Sequence, residues 1–179
     1  MSPRASSKEI MLDASEAIVL ENGARHMTLD AVAAKAGVSK GGLLYHFPTK
    51  EVLLKAMLER LRKQLDEAWK KKAKELKEGP GSKIKAFILS SSNRDPRKDQ
   101  IGSALLAAVA HDPKLLEPAR ADFRKRLEEF MQSDLGFNRA AVIFFAIHGL
   151  VFSELLSFSP LSNKERHEFV EELLRLAEG

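Results

Sequence analysis

TLDAVAAKAGVSKGGLLYHFPTK, residues Thr28 to Lys50, is the stretch whose reading decides the fold. Leu29, Val32, Ala33 and Ala36 recur at the three-to-four spacing of a helix face, and Thr28 stands before them as a natural N-terminal cap. Gly37 breaks that helix. Ser39 caps a third helix, which ends near His46-Phe47-Pro48, and Thr49 caps the next. Two short amphipathic helices joined by Gly37-Val38-Ser39 make a helix-turn-helix pattern. Its geometry needs a small Ala33 where the helices cross, a glycine at 37 for the turn, and Val38 to plug the core beneath. The second helix is then held so that its first residues reach base edges in a major groove. Leu43 and Phe47 read as core, as does Leu44, whereas His46 suits either a local hydrogen bond or the exposed face.

Outward from this unit almost every segment reads as helix. Ile10, Ala14, Ala17 and Ile18 mark a first helix from Ser7 to Asn22, stopped by Gly23. Leu54, Leu58, Leu61, Leu65 and Ala68 form the stripe of a long fourth helix, and Gly79-Pro80-Gly81 is the boundary that ends it. Ile84, Phe87 and Ile88 mark a fifth helix; Ile101, Ala104, Leu105 and Ala108 mark a sixth. Leu116, Phe123, Leu127 and Phe130 stripe a seventh, with Pro118 delaying its regular start. The eighth is apolar on nearly all sides to Phe152, and Ser162-Asn163-Lys164-Glu165 is a capping box for a ninth. No strand pattern and no repeat interrupts this. The expected fold is all-α with about nine helices: a DNA-reading unit over 1–50, a connecting helix over 51–78, and a C-terminal domain over 79–179.

Composition narrows the chemistry. The 179 residues are 44% hydrophobic and 30% charged, which suits a soluble chain with a substantial core. There is no cysteine, which excludes disulfides, thiol chemistry and Cys-based zinc sites, and suits a reducing cytoplasm. Met1 to Ser7 lacks the apolar core of a signal peptide, and the apolar run Ala140 to Phe152 is short for a membrane span, so a cytoplasmic protein without membrane contact is expected. The net charge of +4 is unevenly spread: +1 over residues 1–50, +6 over 51–100 and −3 over 101–179. A basic first hundred residues is compatible with a polyanion partner. His26, His46, His111, His148 and His167 show no HxxxH or HExxH spacing, so neither a metal nor another cofactor is expected.

The run Ala-Gly-Val-Ser-Lys-Gly at 36–41, followed by Tyr45-His46-Phe47-Pro48-Thr49-Lys50-Glu51, closely resembles the DNA-binding signature of the TetR family of transcriptional regulators. The resemblance is strong over residues 10–57 and extends through the rest as a matching helical layout. It implies a dimeric repressor on a palindromic double-stranded operator, released by a small apolar or amphipathic effector, and not an enzyme. It implies that Thr28 contacts phosphate, that Ser39, Lys40, Gly41 and Gly42 open the recognition helix, that Tyr45 and His46 lie on its DNA face, and that Lys50 pins a phosphate. The side-chain chemistry agrees: Lys40 is a flexible cation for guanine or phosphate, and the Tyr45 hydroxyl is a donor to phosphate oxygen. Gly42 departs from the many relatives with Thr or Ser there, and two glycines in a short helix cost about 1 kcal/mol each relative to alanine.

For the C-terminal domain the resemblance implies an effector cavity. Phe87, Phe123, Phe144, Phe145 and Phe152 are its candidate walls, although aromatic residues at helical spacing equally make an ordinary core. His148 either orients a bound molecule or is a satisfied core residue; Trp69 and His111 are further candidates. In the family, helices eight and nine of two subunits pack as a four-helix bundle. Ala140, Ala141 and Gly149 are small enough for close approach there, and Phe169 and Leu173 lie on the ninth helix. Two other classes compete: a helical protein-interaction module without specific DNA binding, and an enzyme using Ser153, His148 and Asp134. No nucleophile elbow or phosphate loop supports the enzyme.

Overall fold

The computed structural model describes residues 6–109 and 113–178, and among them every regular element is helical. The elements are α1 (Ser7–Asn22), α2 (Leu29–Ala36), α3 (Lys40–His46), α4 (Lys50–Glu75), α5 (Ser82–Ser92), α6 (Pro96–Val109), α7 (Glu117–Met131), α8 (Phe137–Leu155) and α9 (Asn163–Leu176). Side-chain oxygens set the helix starts: Ser6 accepts from the Glu9 amide (3.3 Å), Thr28 from Ala31 (3.1 Å), Ser39 from Gly42 (3.0 Å) and Thr49 from Val52 (3.3 Å). Each satisfies one amide that the first turn leaves without an intrahelical acceptor. Gly37 ends α2 in the left-handed region (φ 67°), and its amide and that of Val38 donate back to the last turn of α2. Pro96 opens α6 and Pro118 sits in the first turn of α7, where a missing amide costs no hydrogen bond. The seventh helix therefore starts at Glu117, directly after a 3-10 turn over Pro113–Leu116.

Two compact units divide the chain, one of residues up to Leu61 with Pro96–Glu117, the other of Arg62–Asp95 with the residues from Pro118 onward. This partition differs from expected boundaries at 50 and 78. It arises because α6 packs on α1, and because α4 runs from one unit into the other. In the first unit Met11, Val19, Met27, Val32, Leu43, Phe47, Leu53 and Met57 form a sealed core that Ile101 and Leu105 of α6 complete. Arg60 of α4 ties α1 to this core, pairing with Asp13 and lying 3.6 Å from both Glu9 and Glu16. Burial pushes the Glu16 carboxyl above its ordinary value, against the pull of Arg60.

In the second unit α5, α8 and α9 enclose Ile84, Ile88, Ile143, Phe144, Ile147 and Leu173. Glu154 of α8 accepts from the Arg166 Nε of α9 (2.6 Å), and the same guanidinium donates to the Ser92 carbonyl at the end of α5 (2.7 Å). The capping box of α9 forms as the sequence indicates, the Ser162 amide donating to Glu165 (2.8 Å) and the Glu165 amide to the Ser162 hydroxyl (3.3 Å). α4 stops at Glu75, short of Gly79, so Gly81 has a different task from ending it. It holds φ +64°, and a Cβ there would lie 1.9 Å from the Ala177 carbonyl oxygen. Its amide donates to Asp134 (3.2 Å).

Candidate nucleic-acid interface and aromatic cluster

The packing of α3 separates its residues cleanly. Leu43 and Phe47 are sealed in the core, whereas Ser39, Lys40, Gly41 and Tyr45 face out, Tyr45 with 84% of its surface exposed. An aromatic side chain that exposed gains nothing from burial in the free chain, so the fold does not account for it. The His46 ring stands edge-on to Tyr45, with centroids 5.1 Å apart, and is half-buried. The Lys40 ammonium reaches the Asp30 carboxylate of α2 (2.8 Å), a contact the sequence reading did not include. An acidic residue in the first turn of α2 is equally a partner of the helix dipole, so nothing in the sequence set it apart.

Only one of the two glycines has a local steric reason. Gly41 faces open space, while a Cβ on Gly42 would come 3.2 Å from the Ser39 hydroxyl that caps the helix. A side chain at 42 would crowd that cap. Thr28 and Ser39 both use a hydroxyl lone pair for capping, which leaves each O–H free to donate outward. Lys50 is half-buried in the first turn of α4, which opens directly after Thr49. The outward surface thus combines two cations, a phenol and helix N-termini, the donor set that phosphate and base edges require.

The second unit gathers five of the expected effector residues. Phe123 lies 4.6 Å from Phe144 and 4.5 Å from His148; His148 lies 4.3 Å from Phe144 and 5.4 Å from Phe87, all between ring centroids. Trp69 stands edge-on to Phe87 at 6.2 Å and donates its Nε1–H to the Lys83 carbonyl (3.0 Å). These rings fill one another's space, with Phe144 wholly buried. They form a packed cluster. His148 Nδ1 lies 2.7 Å from the Phe144 carbonyl of its own helix, as a donor to it. Burial holds the imidazole below its ordinary pKa, and the nearby Arg126 charge acts in the same direction.

Arg126 itself was not legible as a site residue. Its guanidinium stacks 4.3 Å from the Trp69 ring centre and 5.3 Å from that of Phe87, and pairs with Asp66 (3.2 Å). Burial opposes the Asp66 charge, but hydrogen bonds from Lys70 and Arg126 outweigh it and hold that carboxyl below its usual value. Phe145 and Phe152 stand at the outer edge, 57% and 41% exposed, and His111 lies outside the described residues. An open apolar groove of about 330 Å³ lies elsewhere on the unit, lined by Gly149, Leu150, Ser153, Pro160, Leu161 and Phe169.

The residues expected at a subunit interface divide. Ala140 and Leu173 are 0% and 3% exposed within the protomer's own second unit, which leaves them no surface for another chain. They point inward because they share the faces of Ile143, Ile147 and Val170 at helical spacing. Ala141 and Phe169 are half-buried, and Gly149 is exposed. Around Gly149 runs a stripe the sequence had not resolved: Val142, Phe145 and Phe152 on one face of α8 with Leu156 at its C-cap, each 41–60% exposed. By length and composition α8 could cross a membrane, but Ile143, Phe144 and Ile147 make its opposite face part of the core.

Ser153, His148 and Asp134 do not converge. Ser153 donates to the Leu150 carbonyl (2.8 Å), His148 pairs with Phe144, and Asp134 accepts from Gly81. Among the described residues no group of three His, Cys, Asp or Glu side chains could hold a metal.

The chain is thus a helix-turn-helix unit followed by a helical unit with an aromatic centre. Residues 11–57 match the family of bacterial regulatory proteins named for TetR, and residues 81–178 match the tetracyclin repressor-like C-terminal domain, so the chain belongs to the TetR family. It is 32% identical over 116 residues to the HTH-type transcriptional regulator BetI of Serratia proteamaculans, a match spanning 60% of this chain and 57% of that relative. It is 26% identical over 176 residues to BetI of Escherichia coli O157:H7, covering 88% and 86% of the two chains. In fold it is similar to a transcriptional regulator from Rhodococcus sp. Rha1, with a TM-score of 0.74, 20% identity and 96% of each chain covered.

Proposed function

We propose that this chain is a repressor that binds an inverted-repeat operator as a homodimer and leaves it when a small apolar or amphipathic effector enters the second unit. The observation that carries the DNA reading is the outward row Ser39, Lys40, Gly41 and Tyr45 on a helix whose other face is sealed. Lys40 and Tyr45 are the base-edge and phosphate contacts, Thr28 and Lys50 anchor phosphates, and His46 supports the Tyr45 ring. The dimer reading rests on the α8 stripe, which moves Phe145 and Phe152 from the effector list to the interface with Ala141 and Gly149. The effector reading rests on the cluster of Trp69, Phe87, Phe123, Phe144 and His148. An entering ligand has to part these rings.

Selection of binding sites from a randomised duplex pool tests this reading. The expected result is an inverted repeat with half-site centres about 34 Å apart, one helical turn of DNA, bound with an affinity that falls steeply as salt rises. Recovery of no preferred sequence would favour an interaction module without specific DNA binding.

A further inference from the structure

We infer that Asp30 is a specificity-determining residue: it holds the Lys40 ammonium in the free protein and penalises every DNA site that does not offer Lys40 a better partner. The inference rests on the DNA-binding reading above. Its observation is the 2.8 Å pair between the Lys40 Nζ and the Asp30 Oδ1, with the two side chains 62% and 70% exposed.

An ion pair that open to water adds little to the stability of a fold. Here it links the first turns of α2 and α3, where Thr28 and Ser39 already cap both helices without help from either charge. The packing of the two helices is likewise complete, through Val32, Ala33 and Leu43. The pair therefore has its consequence at the surface it occupies, which is the surface offered to a polyanion.

Against random DNA, Lys40 has two courses. It stays with Asp30 and releases no counterion from the phosphates, or it turns to a phosphate and leaves a carboxylate facing the backbone. Either course weakens sequence-independent binding. At the right base step the balance changes, because guanine offers Lys40 two acceptors and an adjacent cytosine or adenine amino group offers Asp30 a donor. One acidic side chain thus lowers affinity for wrong sites while the cognate site compensates for it. Other cations of this region are engaged differently: Lys35 is paired with Glu21 (2.6 Å) at the far end of α2.

Asp30→Asn tests this directly, since it keeps the side chain's size and an acceptor for the amides of α2. Fluorescence anisotropy with a random-sequence duplex, run across a salt series, is the measurement. The variant is expected to bind about fivefold more tightly, the factor for a unit charge about 4 Å from another in water. Its log–log salt slope is expected to steepen by up to about 0.9, the increment for one newly neutralised phosphate. Lys40→Ala should cost more affinity in the Asp30→Asn background than in the wild type, because only there is the ammonium free. Selection from a random pool with the variant should return a less defined motif.

Random-duplex affinity and slope unchanged in Asp30→Asn, with wild-type helicity, would overturn the inference and leave the repressor reading standing. Failure of the wild type to bind any duplex at low salt would overturn both. If Asp30→Asn unfolds, Asp30→Ser with the same readouts takes its place.

Discussion

Gly81 and His148 each constrain the second unit, one sterically and the other electrostatically. At Gly81 the constraint is steric. A left-handed φ of +64° combines with backbone only 1.9 Å from where a Cβ would sit, and backbone at Ala177 cannot swing aside as a flexible side chain would. Gly81→Ala is expected to lower stability by about 2–4 kcal/mol, from strain and from displacing α9 against α5. Thermal melts followed by far-UV circular dichroism should show it, and an unchanged midpoint would mean that the α9 end relaxes freely. At His148 the constraint is electrostatic. Burial depresses its folded-state pKa, so below the unfolded value, about 6.5, the unfolded chain binds the proton more readily. The contribution is intact above that pH and is lost as pH falls towards the folded pKa. His148→Phe is expected to flatten stability over that acidic window, as read by urea midpoints between neutral and mildly acidic pH. A slope equal to wild type would assign the acid sensitivity to other groups.

At the level of elements, what the sequence disclosed followed from the range of the signal. Thr28, Ser39, Thr49 and Ser162 act within three residues of themselves, so every cap and helix start they imply is local information. Helix α8 is the contrary case. Nearly all its residues are apolar, so periodicity could not say which face is core; that was fixed only by packing against α5 and α9. The consequence was that Ala140 and Gly149 looked equivalent, although one is wholly buried and the other exposed. The same blindness to long-range packing hid α6 in the first unit and Arg126 over Trp69. The exposed stripe gives a clean test, because a Cβ on Gly149 meets nothing within 4 Å in the protomer. Gly149→Phe therefore adds its first side-chain carbon without a clash, and should gain about 0.3–0.5 kcal/mol of helix propensity. In the proposed dimer it obstructs the closest approach of two α8 helices. Light scattering is expected to fall from dimer mass to the 19.9 kDa of one chain, with helicity retained. Dimers that persist in both Gly149→Phe and Phe145→Asp would place the interface away from this stripe.

For the whole molecule the proposed function raises the question of how an effector among the aromatic rings would alter DNA binding. α4 is one unbroken helix of 26 residues that carries Lys50 at its start and Trp69 in the aromatic cluster. Continuous helices can transmit displacement along their axis. Parting Trp69 from Phe87 and Arg126 is expected to shift α4 and so change the spacing of the two recognition helices in a dimer. Operator half-sites tolerate little such change, since their separation is fixed by the pitch of DNA. A switch from 1:99 to 99:1 requires the effector to prefer the DNA-incompetent spacing by about 5.5 kcal/mol. The chain contains a single tryptophan, so its emission reports this cluster alone. The Arg126 guanidinium stacks 4.3 Å from that ring, so parting the two changes the charge next to the indole. A compound found by its effect on Trp69 emission should therefore bind more weakly when operator duplex is present. By linkage, the operator should bind more weakly in the presence of the compound by the same factor. Titrating the compound against Trp69 emission, with and without saturating operator, measures one side of the relation; titrating operator with and without compound measures the other. Equal compound affinities in both titrations would uncouple the aromatic cluster from the reading helices, and leave α4 a connector with no part in release.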